Sequence, residues 1–372
     1  MTIPFVDLKC KSPNVRREIS AAVERAIDDG QFILGDQVAA FEHSFAGFCG
    51  GRYGIGLGNG TEALHLALRA LGIGPGDEVI TAANTFVATA LAIAYTGATP
   101  VLVDVDPVDY LIDVELIERA ITPRTRAIVP VHLYGQPADM PAILEIAARY
   151  DLPVVQDACQ AHGAQIGGKS LAAFGAAACY SFYPSKNLGA YGDGGMVVTN
   201  CDTLAERIRM LRNYGQRTKN KYEMLGYNSR LDTLQASILA VKLPYLAEAN
   251  EQRRAVAERY CAVLADQADL VLPAERPGVR HVYHLYVVQH PQRDELAAHL
   301  QQNGVQCGIH YPTPIHQIVS FESCRTLPEG APVATRLADR ILSLPMFPEL
   351  TDEQIDRVAQ VAAAFGAKFA VA

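Results

Sequence analysis

The sequence predicts an α/β fold, a mainly parallel central sheet between helices, followed by a smaller C-terminal α+β domain. Three observations carry that reading. Short, almost continuously apolar runs recur through the first two thirds of the chain, and stretches with helical periodicity separate them. After about residue 230 the alternation gives way to a long helical region and isolated strand-like pieces. A strand that is apolar on both faces must be covered on both, and a helix between two such strands is the usual crossover between parallel neighbours.

Taken in order, the buried strands are expected at Tyr53–Leu57, Glu78–Thr81, Thr99–Val103, Ala127–Val131, Pro153–Gln156, Ala177–Phe182 and Met196–Thr199. Helices are expected at Thr61–Leu71, Thr85–Thr96, Val114–Ala120 and Met140–Tyr150. Gly-Pro-Gly-Asp at 74–77 and Asp-Pro at 106–107 supply turn chemistry between units. Further on, Leu231–Tyr260 reads as helical with an interruption near Pro244, and Tyr283–Val288, Arg293–Asn303 and Asp352–Phe365 follow as strand, helix and helix. The texture change places a large domain at 1–240 and a small one at 241–372.

Composition limits the function classes. Hydrophobic residues make up 49% and charged residues 19%, so the chain has a core and is not a disordered one. A net charge of -8 argues against a protein that coats nucleic acid. Eight dispersed cysteines, without a C-x-x-C pair, read as buried thiols in a reducing compartment rather than a disulfide framework or zinc site. Ile80–Val103 lacks charge, but its five Thr, Asn84, Gly97 and Pro100 make it core strand, helix and strand and not a membrane span. With no secretion signal at the start, the expectation is a soluble cytoplasmic protein.

Three motifs point to chemistry. Gly58-Asn59-Gly60-Thr61-Glu62-Ala63 follows an apolar strand and opens a helix. Glycine lets backbone N–H groups approach an anion and Thr61 can cap the helix, so the motif reads as an anion cradle or as plain capping. In Val154-Val155-Gln156-Asp157-Ala158-Cys159-Gln160-Ala161-His162 an Asp stands where a buried strand ends. That carboxylate needs a positive or donating partner, either a protonated ring nitrogen of a cofactor or the N–H groups of the next loop. His162 reads as a locally hydrogen-bonded side chain, since no second His lies at metal-ligand spacing, and no metal site is expected. Tyr180 to Gly195 then holds a lone Lys186 in a loop of Ser, Pro and Gly after an apolar strand. Such a lysine is either solvated or an amine able to attack a carbonyl. The spacing of 186 − 157 = 29 residues puts acid and amine on successive strand ends, the pair a pyridoxal phosphate site needs.

With these residues the chain resembles the DegT/DnrJ/EryC1/StrS sugar aminotransferases, pyridoxal-phosphate enzymes of the aspartate aminotransferase fold (PLP fold type I). The likeness runs from Ile3-Pro4-Phe5-Val6-Asp7-Leu8 into the C-terminal domain, through Gly58–Leu64, Asn84–Thr89, Gly97–Asp106, Gln156–Gly163, Ser181–Gly195 and Asn228–Asp232. The resemblance implies Lys186 as Schiff-base lysine and proton carrier, Asp157 on the cofactor ring nitrogen, and Gln160 beside the ring hydroxyl. It implies Phe86 on the ring face and Gly60, Thr61 and Ser181 at the phosphate of pyridoxal 5′-phosphate (or its pyridoxamine form). Asn228 would reach the phosphate in a neighbouring subunit, so a homodimer with shared sites is implied. Tyr183, His310, Tyr311 and His316 are candidate sugar contacts; for the two histidines, loop residues near a Pro-rich turn is the competing reading.

The implied reaction moves an amino group from L-glutamate to a nucleotide-linked keto-sugar. Tyr183 and Gly192-Asp193-Gly194-Gly195 look like the branch that aminates C3 of dTDP-3-keto-6-deoxyhexoses; C4 amination and UDP-linked 3-keto sugars are the alternatives. A dehydratase relative would replace Lys186 with His, a non-catalytic regulator on this scaffold would be expected to lose Lys186 or Asp157, and a nicotinamide dehydrogenase would need a dinucleotide fingerprint that is absent. Finally, Arg207–Arg230 runs against the acidic total, with seven basic residues and one acid, 7 − 1 = +6. It reads as a binding segment for cofactor phosphate and sugar diphosphate through Lys219 and Arg230, or as a solvated basic face.

Overall fold

The computed structural model describes residues 2–9, 12–267 and 269–367. Its strands β1 (Tyr53–Leu57), β2 (Glu78–Ala82), β3 (Thr99–Val103), β4 (Thr125–Val129) and β5 (Val155–Asp157) are the expected apolar runs, with ends moved by a residue or two. Ala177–Ser181, Gly195–Thr199 and the short Arg325–Thr326 complete the central sheet. One half runs β1, Gly195–Thr199, Ala177–Ser181, β5; the other runs Arg325–Thr326, β3, β2, β4. Parallel bridges Ile128↔Val154 and Val131↔Asp157 join the halves.

Pairing is parallel between β2 and both of its neighbours, between β3 and Arg325–Thr326, and between β5 and Ala177–Ser181. Gly195–Thr199 is the exception and pairs antiparallel on both sides. Its register sets Gly195 against Ser181 on one side and against Leu57 on the other.

Helices cover both faces. α1 (Pro13–Asp29) and α2 (Asp36–Phe48) precede the sheet, and α3 (Gly60–Ala70) and α4 (Val87–Tyr95) follow β1 and β2. Alternate residues of a strand face opposite sides. Val79 of β2 accordingly joins a core with Leu64 and Leu68 of α3, whereas Ile80 joins one with Val101 and Ile143. Replacing any of these fully buried aliphatic side chains with Ala costs about 2–5 kcal/mol. The first helix carries sequence signals the expectations passed over: Ser12 caps it, Pro13 opens it, and Gly30 closes it at φ 64°.

Pro244 interrupts the long helical region, as expected. Thr233–Lys242 ends in a 3₁₀ turn at Leu243–Tyr245, and Leu246–Leu264 continues as helix. Tyr260, Tyr286, Leu296, Phe347 and Val358 build a separate core that also takes in Ile3. Antiparallel strands Tyr286–Gln289 and Ile341–Leu344 run through it.

The cysteines are free where described, Cys49 and Cys179 buried as expected, but Cys201 is exposed. Cys10 lies outside the described residues. Among the described residues no helix is long and apolar enough to cross a membrane.

Candidate active site

β1, β2, β5 and Ala177–Ser181 end on the same side of the sheet, where ligands of open α/β sheets bind. Residues just past those ends line a cavity of about 640 Å³. Gly60, Thr61, Phe86, Asp157, Gln160, Ser181, Tyr183, Lys186, His310 and Tyr311, all anticipated from the sequence, are among its walls.

α3 begins under this cavity. Its cap is Asn59, whose Oδ1 accepts from Glu62 N at 2.9 Å, and not Thr61 as the sequence reading had it. An Asn side chain two residues earlier does the capping, which leaves the Thr61 hydroxyl to the cavity. The helix start is packed tightly: a Cβ on Gly60 would stand 2.7 Å from Ser181 Cβ and 2.8 Å from Cys159 Sγ. Only glycine lets the backbone lie that close to the neighbouring strand end.

Asp157 is 6% exposed, and its carboxylate meets the N–H of the next loop. Oδ1 caps the next loop by accepting from Cys159 N at 3.1 Å, and Oδ2 accepts from Thr89 Oγ1 at 2.7 Å. Thr89 in turn meets Thr85 Oγ1 at 2.9 Å. No cation pairs with this carboxylate among the described residues, which leaves it able to hold a protonated ring nitrogen. Gln160 accepts from Tyr134 N at 2.7 Å and donates to Tyr311 Oη at 3.2 Å. Phe86 is 49% exposed at the rim and lies 5.3 Å from the Tyr311 ring.

Lys186 lines the same cavity. Burial draws its ammonium below the usual lysine range, while Cys159 and Asp157 act in the opposite direction. Its Nζ lies 3.3 Å from His284 Nε2. His284 was missed in the sequence; the available signal was a histidine inside the apolar run His281–Val288, where a polar ring needs a reason to be buried. His310 contacts Ser343 Oγ at 2.8 Å and stacks on Phe5 at 5.4 Å. Its pKa is pulled down to about 4, first by burial and then by Lys186.

Other anticipated residues stand elsewhere. His316 bonds Thr335 Oγ1 at 3.1 Å and does not line the cavity. Arg230 donates to Asn213 Oδ1 at 3.0 Å, and Asn228 and Lys219 are exposed away from the cavity walls. The basic stretch is largely used up within the fold. Arg207 donates to Ala70 O at 2.9 Å, Arg209 covers Tyr53, Arg212 pairs with Glu42, and Arg217 pairs with Glu206 and Glu223. His162 also departs from expectation: it is buried among Phe45, Tyr180 and Phe182, and its ring nitrogens lack a well-formed bond among the described residues.

The cleft fits pyridoxal phosphate on these observations. A donor-lined helix start suits a phosphate, a buried carboxylate without a cation suits the ring nitrogen, and a desolvated amine suits the aldehyde.

Comparison with known proteins agrees. The DegT/DnrJ/EryC1/StrS aminotransferase family model matches residues 13–362. A UDP-N-acetyl-3-dehydro-alpha-D-glucosamine 3-aminotransferase of Acidithiobacillus ferrooxidans is 50% identical, over 96% of each chain. A pleiotropic regulatory protein of Geobacillus stearothermophilus is 48% identical over the whole of both. A dTDP-3-amino-3,4,6-trideoxy-alpha-D-glucose transaminase of Streptomyces venezuelae is 46% identical, over 96% of this chain and 94% of that one. The crystal structure of Streptomyces venezuelae DesV with a ketimine intermediate superposes with a TM-score of 0.96, at 45% identity over 98% of both chains.

Proposed function

The chain belongs to the DegT/DnrJ/EryC1/StrS aminotransferase family, whose enzymes use pyridoxal phosphate, and from that premise we propose that it transfers the amino group of L-glutamate to C3 of a dTDP-linked 3-keto-6-deoxyhexose. The observation that carries the reading is Asp157 and Lys186 meeting in one cavity, on the ends of adjacent strands. When bound, pyridoxal phosphate supplies an electron-accepting ring. Asp157 would hold a proton on the ring nitrogen, its carboxylate kept in place by Thr89. Gly60, Thr61 and Ser181 would hold the phosphate, with Gln160 for the ring hydroxyl and Phe86 for a ring face, all of them lining the cavity. Lys186, desolvated and therefore easily deprotonated, would be the residue to hold the cofactor's aldehyde and to move a proton at the substrate carbon.

Tyr183, His310 and Tyr311 are the sugar contacts of this proposal, since all three line the cavity. C3 regiochemistry rests on Tyr183, on Asp193 in the cavity wall, and on relatives whose names specify 3-amination. A UDP-linked 3-keto sugar is the second reading, favoured by the 50% identical relative. The regulatory name of another relative is set against a complete set of catalytic side chains here.

Asn228, exposed on its own chain, is assigned to the partner's phosphate in a homodimer, with Lys219 and Arg230 near the same boundary. The separate core around Tyr260 and Phe347 is the support for dividing the chain into 1–240 and 241–372, with Ile3 crossing into that core and Arg325–Thr326 crossing back into the central sheet. A cytoplasmic location belongs to the same reading and rests on the unbonded cysteines.

The test is a panel of dTDP- and UDP-linked 3-keto and 4-keto sugars with L-glutamate, with products identified by mass and NMR. A 3-amino dTDP-sugar is expected. Turnover of 4-keto sugars alone would overturn C3, and turnover of UDP-sugars alone would overturn the nucleotide.

A further inference from the structure

We propose that His284 is a positioning residue for Lys186, a neutral imidazole whose bare Nε2 accepts a hydrogen bond from the lysine Nζ and so sets the direction of the amine. The inference rests on the role given to Lys186 above, but its geometric basis is independent of any substrate.

A chain of hydrogen bonds ending on backbone carbonyls, which can only accept, assigns every proton in it. Asn250 Nδ2 donates to His162 O at 2.8 Å, so the Oδ1 of Asn250 is the acceptor for Asn187 Nδ2, also at 2.8 Å. Asn187 Nδ2 donates its other hydrogen to Val282 O at 2.9 Å. With both amide hydrogens used, Asn187 meets His284 Nδ1 through its oxygen, at 3.2 Å. His284 Nδ1 must then carry the proton, and in the neutral ring Nε2 is left as an acceptor. That atom lies 3.3 Å from Lys186 Nζ.

The surroundings keep the ring neutral. Burial pulls its pKa well below the usual histidine value, and Lys186, Arg253, His162 and His310 all act in the same direction. On the lysine side, Cys159 and Asp157 are the groups that favour the ammonium. His284 therefore neither takes nor supplies the reaction's proton. It holds one N–H of the amine, which leaves the nitrogen lone pair a defined direction.

Two variants separate this role from simple packing. His284→Asn keeps an amide near the Nδ1 position, where Asn187 is met, and withdraws the acceptor from Lys186. His284→Gln returns an acceptor near the Nε2 position. In the cofactor-stripped full chain, the pH dependence of Lys186 acetylation by acetic anhydride is read by peptide mass. Losing a neutral acceptor disfavours the ammonium, so the midpoint should fall by about 0.7 pH unit in His284→Asn, the equivalent of one hydrogen bond. His284→Gln should recover most of that shift. In the loaded enzyme His284→Asn should lower kcat by roughly 10- to 100-fold with KM within about twofold, and His284→Gln should restore kcat. A midpoint unchanged or raised in His284→Asn overturns the proposal, as does an equal kcat loss in both variants. The acetylation arm needs no sugar or amino donor, so it stands or falls apart from the substrate assignment.

Discussion

Arg212 sits inside the basic stretch that the sequence offered as an anion-binding segment, yet the structure gives it a different task. Arg212 and Glu42 are each 8% exposed and paired with one another. The guanidinium also donates to Gly56 O at 2.8 Å, and Glu42 accepts from Gly56 N at 2.7 Å. The pair thus ties α2 to the middle of β1. In Arg212→Met the Glu42 carboxylate stays buried with its cation gone, a loss of about 3–5 kcal/mol. For domains of about 150–250 residues each kcal/mol lowers Tm by about 2–4 °C, which gives a fall of about 6–20 °C. The assay is urea and thermal unfolding at one protein concentration with cofactor saturating, alongside KM for the nucleotide sugar. KM should stay within about twofold. Adding Glu42→Gln should recover about 1 kcal/mol or more, because the stranded charge is removed. A loss below about 1 kcal/mol, the scale of an exposed pair, together with a raised KM would refute the structural role and restore the anion-binding one.

Lys186→Ala should lower kcat by at least about 10²–10⁴-fold, and borohydride should no longer fix the cofactor to the chain; unchanged turnover would remove the lysine from its role. Gly60→Ala places a Cβ 2.7 Å from Ser181 Cβ, so the start of α3 must shift and cofactor affinity, read by fluorescence titration, should fall about 10-fold or more. Wild-type affinity in that variant would mean the cradle is not there. Acid should destabilise the protein through its buried histidines. Burial lowers His132 from 6.5 to about 4 and His162 from 6.5 to about 3. Because the unfolded chain takes up these protons first, their contribution is complete above pH 6.5 and is lost as pH falls toward about 4, at roughly 1.4 kcal/mol per pH unit for each. The urea midpoint should be lower at pH 5 than at pH 7, and a higher one would contradict this.

What the sequence disclosed follows from how far each effect reaches along the chain. β1 and β3 were legible to the residue because a fully buried strand needs an uninterrupted apolar run. The same run says nothing of direction, so the antiparallel pairing of Gly195–Thr199 was not visible. α1 was passed over because its buried face is only Ile19, Ala22 and Ala26 amid charged neighbours. At the site, Asp157 and Lys186 could be read because one closes a strand and the other stands in the loop just past the next strand, each in a motif. His284, Asn187 and Asn250 could not, since their partners lie 98, 97 and 63 residues away. Arg212 misled for the same reason: a basic run shows charge, and its neutralisation by Glu42 across 170 residues is a property of the folded chain.

The one reversed strand of the central sheet has a consequence for the chain between Ser181 and Gly195. Had Gly195–Thr199 run parallel to its neighbours, the connection would have had to leave the rim and cross to the far end of the sheet through a helix. Because the strand runs the other way, residues 182–194 depart and return at a single register pair, Ser181↔Gly195. Lys186 therefore rides on a tether with both ends pinned at the place where it is needed. The loop-closure entropy of so short a segment is spent once, when the two strands zip together, and the amine need not be gathered in afterwards.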